Sequence, residues 1–150
     1  MLAKKLCLIL VFLLAAPLFA CGSSAGYGEV TVRVCDGYTD LPIAGACVTV
    51  PETGMKVTTS PDGRTEAMLL PVIPDAEYER ILPSGTGRVT LIVTAEGFTP
   101  CLMLYVRVSS GMSREISVLL FPADGSLSVF PIIEAPDEDW CRGVVEKYGE

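Results

Sequence analysis

The sequence contains no His, no Asn and no Gln, and a single Trp in 150 residues. Without His there is no Ser–His or Cys–His nucleophile and no imidazole ligand for a metal. Without Asn there is no acceptor for N-glycosylation. Basic residues are scarce as well. Eleven Lys and Arg stand against 18 Asp and Glu, a net charge of −7. That balance argues against nucleic acid as a partner, because binding it requires a basic footprint. No Cys-x-x-Cys pair occurs, so the common zinc spacings are missing too. What is present is apolar: half of the residues are hydrophobic and only 19% are charged. The length suits one domain with a packed core.

The first residues form an address. Lys4 and Lys5 precede an apolar run over residues 6–16, and Pro17, Leu18, Phe19 and Ala20 lead to Cys21. The run is shorter than the ~20 residues of a spanning helix, which makes it a secretion signal over residues 1–20. Leu18-Phe19-Ala20-Cys21 resembles the bacterial lipobox, with Phe19 standing where a smaller residue is usual. The resemblance implies a lipid thioether on Cys21, cleavage before it and N-acylation. Two or three acyl chains would hold a protein stably on a membrane, at ~0.8 kcal/mol per buried CH₂. The other route is ordinary cleavage and release. Residues 21–27 then form a flexible tether. Removal of Lys4 and Lys5 leaves nine basic against 18 acidic residues, a net −9. A domain of that charge is repelled by anionic headgroups.

From Glu29 onward the apolar period is two. Val30, Val32 and Val34 alternate with Thr31, Arg33 and Cys35, and Ala46, Val48 and Val50 with Cys47 and Thr49. Further alternating runs cover residues 89–95, 102–108 and 115–120, and shorter ones cover 55–59 and 65–70. Ser60-Pro61-Asp62-Gly63, Glu96-Gly97-Phe98 and Ser109-Ser110-Gly111 supply turn chemistry between them. Seven short strands in about a hundred residues predict an all-β sandwich.

Two stretches depart from that rhythm. Residues 71–87 hold Pro71, Pro74, Pro83, Gly85 and Gly87, and only residues 74–80 suit a helical turn. Long loops are disproportionately functional, so this insertion is the first candidate for a partner surface. Residues 126–150 hold an edge strand up to Ile133 and a short helix opened by Pro136 and Asp137. Trp140, Val144 and Tyr148 make one apolar stripe on that helix, expected to pack on the sandwich.

In order, Gly28-Glu29-Val30-Thr31-Val32, Leu41-Pro42-Ile43-Ala44-Gly45-Ala46-Cys47-Val48, Thr59-Ser60-Pro61-Asp62-Gly63-Arg64-Thr65 and Ala95-Glu96-Gly97-Phe98-Thr99-Pro100 resemble the carboxypeptidase regulatory-like domain. This is a transthyretin-like (Ig-like) β-sandwich, also related to the B-type repeats of collagen adhesins. The match runs over residues 28–122, within a domain set at 28–125. The resemblance implies seven antiparallel strands, no catalysis and no cofactor, and an accessory, adhesive or spacer role. The Lys–Asn isopeptide bond of the adhesin repeats is impossible without Asn.

Four cysteines remain beyond Cys7 and Cys21: Cys35, Cys47, Cys101 and Cys141. In an exported chain they allow two disulfides in three connectivities, or free thiols in a reducing habitat. By strand phase Cys35, Cys47 and Cys101 point away from the core, where a docked helix carrying Cys141 could meet one of them. The acids at Asp75, Glu77 and Glu79, and at Glu134, Asp137, Glu138 and Asp139, are expected to be solvated surface, with weak calcium binding the alternative. Tyr38 and Tyr78, in loops, are the candidate ligand contacts. The expectation is thus an exported, membrane-anchored envelope protein that is not an enzyme. Its partner would be a protein or a cell-wall component. A surface carbohydrate-binding module is the second possibility.

Overall fold

A computed structural model of the chain describes residues 26–149. Alternation becomes strand wherever the sequence carries it. β1 (Tyr27–Asp36), β2 (Cys47–Val50), β3 (Met55–Thr58) and β4 (Met68–Pro71) precede helix α1 (Ala76–Ile81). β5 (Gly87–Thr94), β6 (Cys101–Val108), β7 (Ser113–Leu120) and β8 (Phe130–Ile133) follow, and helix α2 (Glu138–Tyr148) ends the described chain.

The strands form two sheets, one of three in the order β4-β1-β7 and one of five in the order β3-β2-β5-β6-β8. Their inner faces share one core, in which Val30, Val32 and Val34 of β1 face Val48, Leu91, Val93 and Val106 of the larger sheet. Each fully buried Val or Leu contributes about 1.5–3 kcal/mol. Two buried threonines tie irregular backbone to this frame. The Thr59 hydroxyl donates to Ile43 O at 2.6 Å and accepts from Ala46 N at 2.9 Å, and the Thr65 hydroxyl accepts from Val32 N at 3.0 Å.

The sandwich has eight strands among the described residues, not seven, and its sheets are mixed rather than antiparallel. The segment beyond residue 126 supplies the added strand, since β8 pairs in parallel with β6 at the sheet edge, from Cys101↔Phe130 to Leu104↔Ile133. The second departure lies at Ser109-Ser110-Gly111, which does not close a hairpin. β6 lies in the larger sheet and β7 in the smaller, so this turn carries the chain across the core. Gly111 N donates to Tyr27 O at 2.8 Å and Glu29 N to Met112 O at 2.8 Å, which brings β7 in beside β1. The chain has reversed while changing layers, so β7 runs parallel to β1 over eight register pairs, Glu29↔Ser113 to Asp36↔Leu120.

The insertion closes on itself at Gly87. A Cβ there would lie 2.1 Å from Ile73 N, so only glycine lets β5 start against the outgoing segment. Arg88 N donates to Ile73 O at 2.8 Å and completes the closure.

Candidate functional site

Two groups of aromatic side chains mark the surface, and the candidate tyrosines fall one in each. Tyr78 is on α1, which exists because Asp75 caps it: the carboxylate accepts from Glu77 N at 3.0 Å and Tyr78 N at 3.3 Å. The Tyr78 ring meets Trp140 edge-on at 5.2 Å and Tyr105 at 5.9 Å. The Arg88 guanidinium lies 4.2 Å from its centroid. Tyr78 is therefore a half-buried keystone between helix, sheet and tail.

The C-terminal helix docks mainly on this insertion rather than on the sandwich itself. Residues 71–87 already cover that end of the larger sheet. A six-residue helix leaves its last carbonyls without internal partners. Trp140 Nε1 donates to Leu82 O at 2.7 Å and the Tyr148 hydroxyl to Ile81 O at 3.1 Å. The sandwich holds only the start of the tail. Asp137 accepts from Trp140 N at 2.8 Å and pairs with Arg107 at 3.0 Å. The Trp140 N–H, and secondarily Arg107, hold its carboxyl below the ordinary aspartate range.

Sequence phase failed at one place in β6, and its consequences reach the site. Tyr105 has φ 61°, a left-handed conformation uncommon for a bulky side chain. It marks a β-bulge: Val89 pairs with Val106 but Leu91 pairs with Met103, so β6 spends one residue more than β5. Before the bulge Cys101 and Met103 face the core, and after it Val106 and Val108 do. Cys101 is consequently fully buried, not outward, and burial pushes its thiol pKa up. The sequence hides the slip, because residues 101–106 are all apolar or aromatic and either phase reads as an inward face. Arg88 was missed altogether, because alternation puts it on the outer face and nothing local reveals that α1 covers it.

The second group lies toward the other end of β6. Tyr38 follows β1 in a turn whose Asp36 carboxylate accepts from Tyr38 N at 2.8 Å and Thr39 N at 3.1 Å. The residue is 78% exposed, its ring meets Phe121 edge-on at 5.3 Å, and Phe121 meets Phe130 at 5.5 Å. The approach needs Gly37, since a Cβ there would lie 2.4 Å from the Phe121 ring. Tyr38, Phe121, Phe130, Leu127, Asp124 and Ser126 are among the residues lining a 250 Å³ cavity. The Ser126 hydroxyl and N–H hold the Asp124 carboxyl below its ordinary range. An open ring beside hydroxyls and a carboxylate can stack on an apolar face while accepting hydrogen bonds. Tyr38 and Tyr78 thus belong to separate sites.

Cys35, Cys47, Cys101 and Cys141 are all free thiols, and none of the expected disulfides is formed. Bridging needs Cα atoms within ~7 Å and facing side chains. Cys101 is inside the sandwich and Cys141 is exposed on α2. Cys35 keeps its outward phase yet is buried where Pro42 pairs beside it. Cys47 alone sits half-exposed, on the outer face as its phase predicts. Of the acids, Asp75 and Asp137 cap helices, Asp139 pairs with Arg142, and Glu134 pairs with Arg114 at 2.7 Å and accepts from Arg107 N at 3.2 Å. Among the described residues no three Cys, Asp or Glu converge as a metal would require. None of the described helices is long and apolar enough to cross a membrane. Cys21, the residue expected to be lipidated, lies outside the described residues, as does the signal segment.

No family model matches the chain, and no curated protein matches it. Among solved structures it is similar to the TIE protein of Bacillus anthracis, at 14% identity and TM-score 0.45 over 65% of this chain and 17% of that one. A type II cohesin–X-dockerin complex from Acetivibrio cellulolyticus gives 17% identity and TM-score 0.45 over 67% and 61%. GBS52, the minor pilin of Streptococcus agalactiae, gives 12% and 0.38 over 75% and 49%. The chain spans less than two thirds of each of these chains. None of the likenesses bears on what this protein does.

Proposed function

We propose that the chain is an exported lipoprotein, anchored through Cys21, whose β-sandwich is a non-enzymatic structural or protein-interaction module of the carboxypeptidase regulatory-like type. The observation that carries this reading is the polarity of β1. It starts at Tyr27, the last residue of the expected tether, and runs ten residues to Asp36, about 33 Å at strand rise. The Tyr38 ring follows at once. A tether at one end and an open aromatic group at the other is the arrangement a membrane-held contact module requires. Tyr38, Leu41 and Leu127 are all more than half exposed at that end.

Intact mass of the membrane-extracted protein is the test. The expected species begins at Cys21 and carries acyl mass, and Cys21→Ala abolishes both. A lipid-free species beginning elsewhere overturns the anchor and makes the protein a released factor. The second reading, a surface carbohydrate-binding module, rests on the Tyr38 ring sharing one cavity with Asp124 and Ser126. It predicts saturable binding on a glycan array, abolished by Tyr38→Ala.

A further inference from the structure

The arginines of the larger sheet differ in one respect. Arg107 is paired with Asp137 at 3.0 Å, and Arg114, which reaches across from β7, with Glu134 at 2.7 Å. Arg88 is the most buried charged residue among those described, at 8% exposure, yet its guanidinium has no carboxylate partner and donates no hydrogen bond among them. Its Nη1 is wholly buried without an acceptor. One face rests on Tyr78, which offsets part of the charge but satisfies no N–H. Arg33 also has a buried Nε without an acceptor, but that side chain is only half-buried and sits beside Arg64 and Glu115. A buried, unpaired guanidinium is strongly unfavourable and calls for a partner, and of its three nitrogens only Nη1 is closed off from the surface.

Arg88 lines a 310 Å³ cavity between the outer face of the larger sheet and the start of the insertion. Thr90, Tyr105, Glu52 and Asp75 are among the other lining residues. Glu52 comes from the β2–β3 turn, and its carboxylate accepts from Thr90 N at 2.8 Å. Tyr105 is the residue held in the left-handed conformation, which turns it toward this face. One guanidinium therefore shares the cavity with two carboxylates. A simple anion would meet Arg88 and be repelled by both acids. A polyanion would also oppose the chain's overall charge of −7.

We propose that this cavity binds a small zwitterion of the amino-acid or dipeptide class, its carboxylate on the Arg88 guanidinium and its ammonium between Glu52 and Asp75. The guanidinium fork matches a carboxylate in a way that no neutral acceptor does. The cavity volume is at the small end of ligand sites, which suits a dipeptide rather than a longer chain. The assignment is independent of the lipid anchor and of the Tyr38 end.

The test is calorimetry on the full chain in detergent with alanyl-alanine, in L,L and D,D forms. Saturable binding with Kd about 1 mM or tighter is expected for at least one form. Both its C-terminal amide and its N-acetyl derivative should bind at least tenfold more weakly. Arg88→Gln should abolish binding while Trp140 fluorescence stays native and unfolding stays a single cooperative transition. Should that variant unfold, Glu52→Gln keeps the Arg88–Tyr78 stack. It should weaken the dipeptide several-fold and leave the N-acetyl form unchanged. No saturable heat with either form overturns the proposal. So does an amide that binds as well as the acid, or dipeptide binding unaffected by Glu52→Gln.

Discussion

Two aromatic groups sit toward opposite ends of β6, built from similar residues and put to different use. Tyr78, Trp140 and Tyr105 are locked: Trp140 and its helix bond back to the insertion, and Arg88 caps the stack. Tyr38, Phe121 and Phe130 are open, with Tyr38 held only by its turn and an edge contact. The difference is one of what surrounds the rings. At the locked end two additions to the sandwich, the insertion and the tail, need each other because neither helix is long enough to stand alone. At the open end nothing in the described chain covers the ring. Rings that close a structure and rings that await a contact cannot be told apart by residue type.

Substitutions break this comparison in order of size. Leu91→Ala, in the core between the two groups, should cost about 2–5 kcal/mol in urea unfolding and destabilise both ends alike. Trp140→Ala should cost about 2 kcal/mol, less than a core residue because the ring is half-buried. It should expose the insertion to protease while near-native strand signals persist in circular dichroism, and equal loss across all probes would show the two ends to be one cooperative unit. Asp137→Ala removes a cap and should cost about 1 kcal/mol. Because the folded-state pKa of Asp137 is depressed, its contribution is full above the ordinary aspartate value and disappears as pH falls through the lower folded value. A change in Trp140 fluorescence on acidification, absent in the variant, checks this. Tyr38→Ala should change stability by no more than about 0.5 kcal/mol. A larger loss would mean that the open ring is structural after all.

Much of the sandwich was legible because alternation is local. Val30, Val32 and Val34, Val48 and Val50, and Val118 and Leu120 all fall inward as their spacing predicts. The turn at Ser60-Pro61-Asp62-Gly63 closes as expected, with Gly63 N donating to Ser60 O at 2.9 Å. The edge strand and both short helices were legible from Pro, Asp and apolar spacing. Unbroken phase puts Cys101 on the outer face, and the bulge at Tyr105 puts it in the core. The candidate site was half legible: Tyr38 and Tyr78 were picked out as loop aromatics, whereas Phe121, Phe130, Tyr105 and Arg88 acquire meaning only from distant neighbours.

Outside the first half of β6, adjacent side chains were enough to fix which residues lie inward, where the chain turns and which segments stand outside the sandwich, since each depends on a few neighbours along the chain. Tertiary structure alone decided that β7 runs parallel to β1, that the tail helix serves the insertion, and that Arg88 is buried without a counter-charge. Pairing direction and burial depend on groups far apart in the chain: Tyr78 covers Arg88 from ten residues before it, and Trp140 holds Tyr78 from sixty-two residues beyond. No local periodicity encodes such contacts, because the free energy that selects them arises only when the layers close.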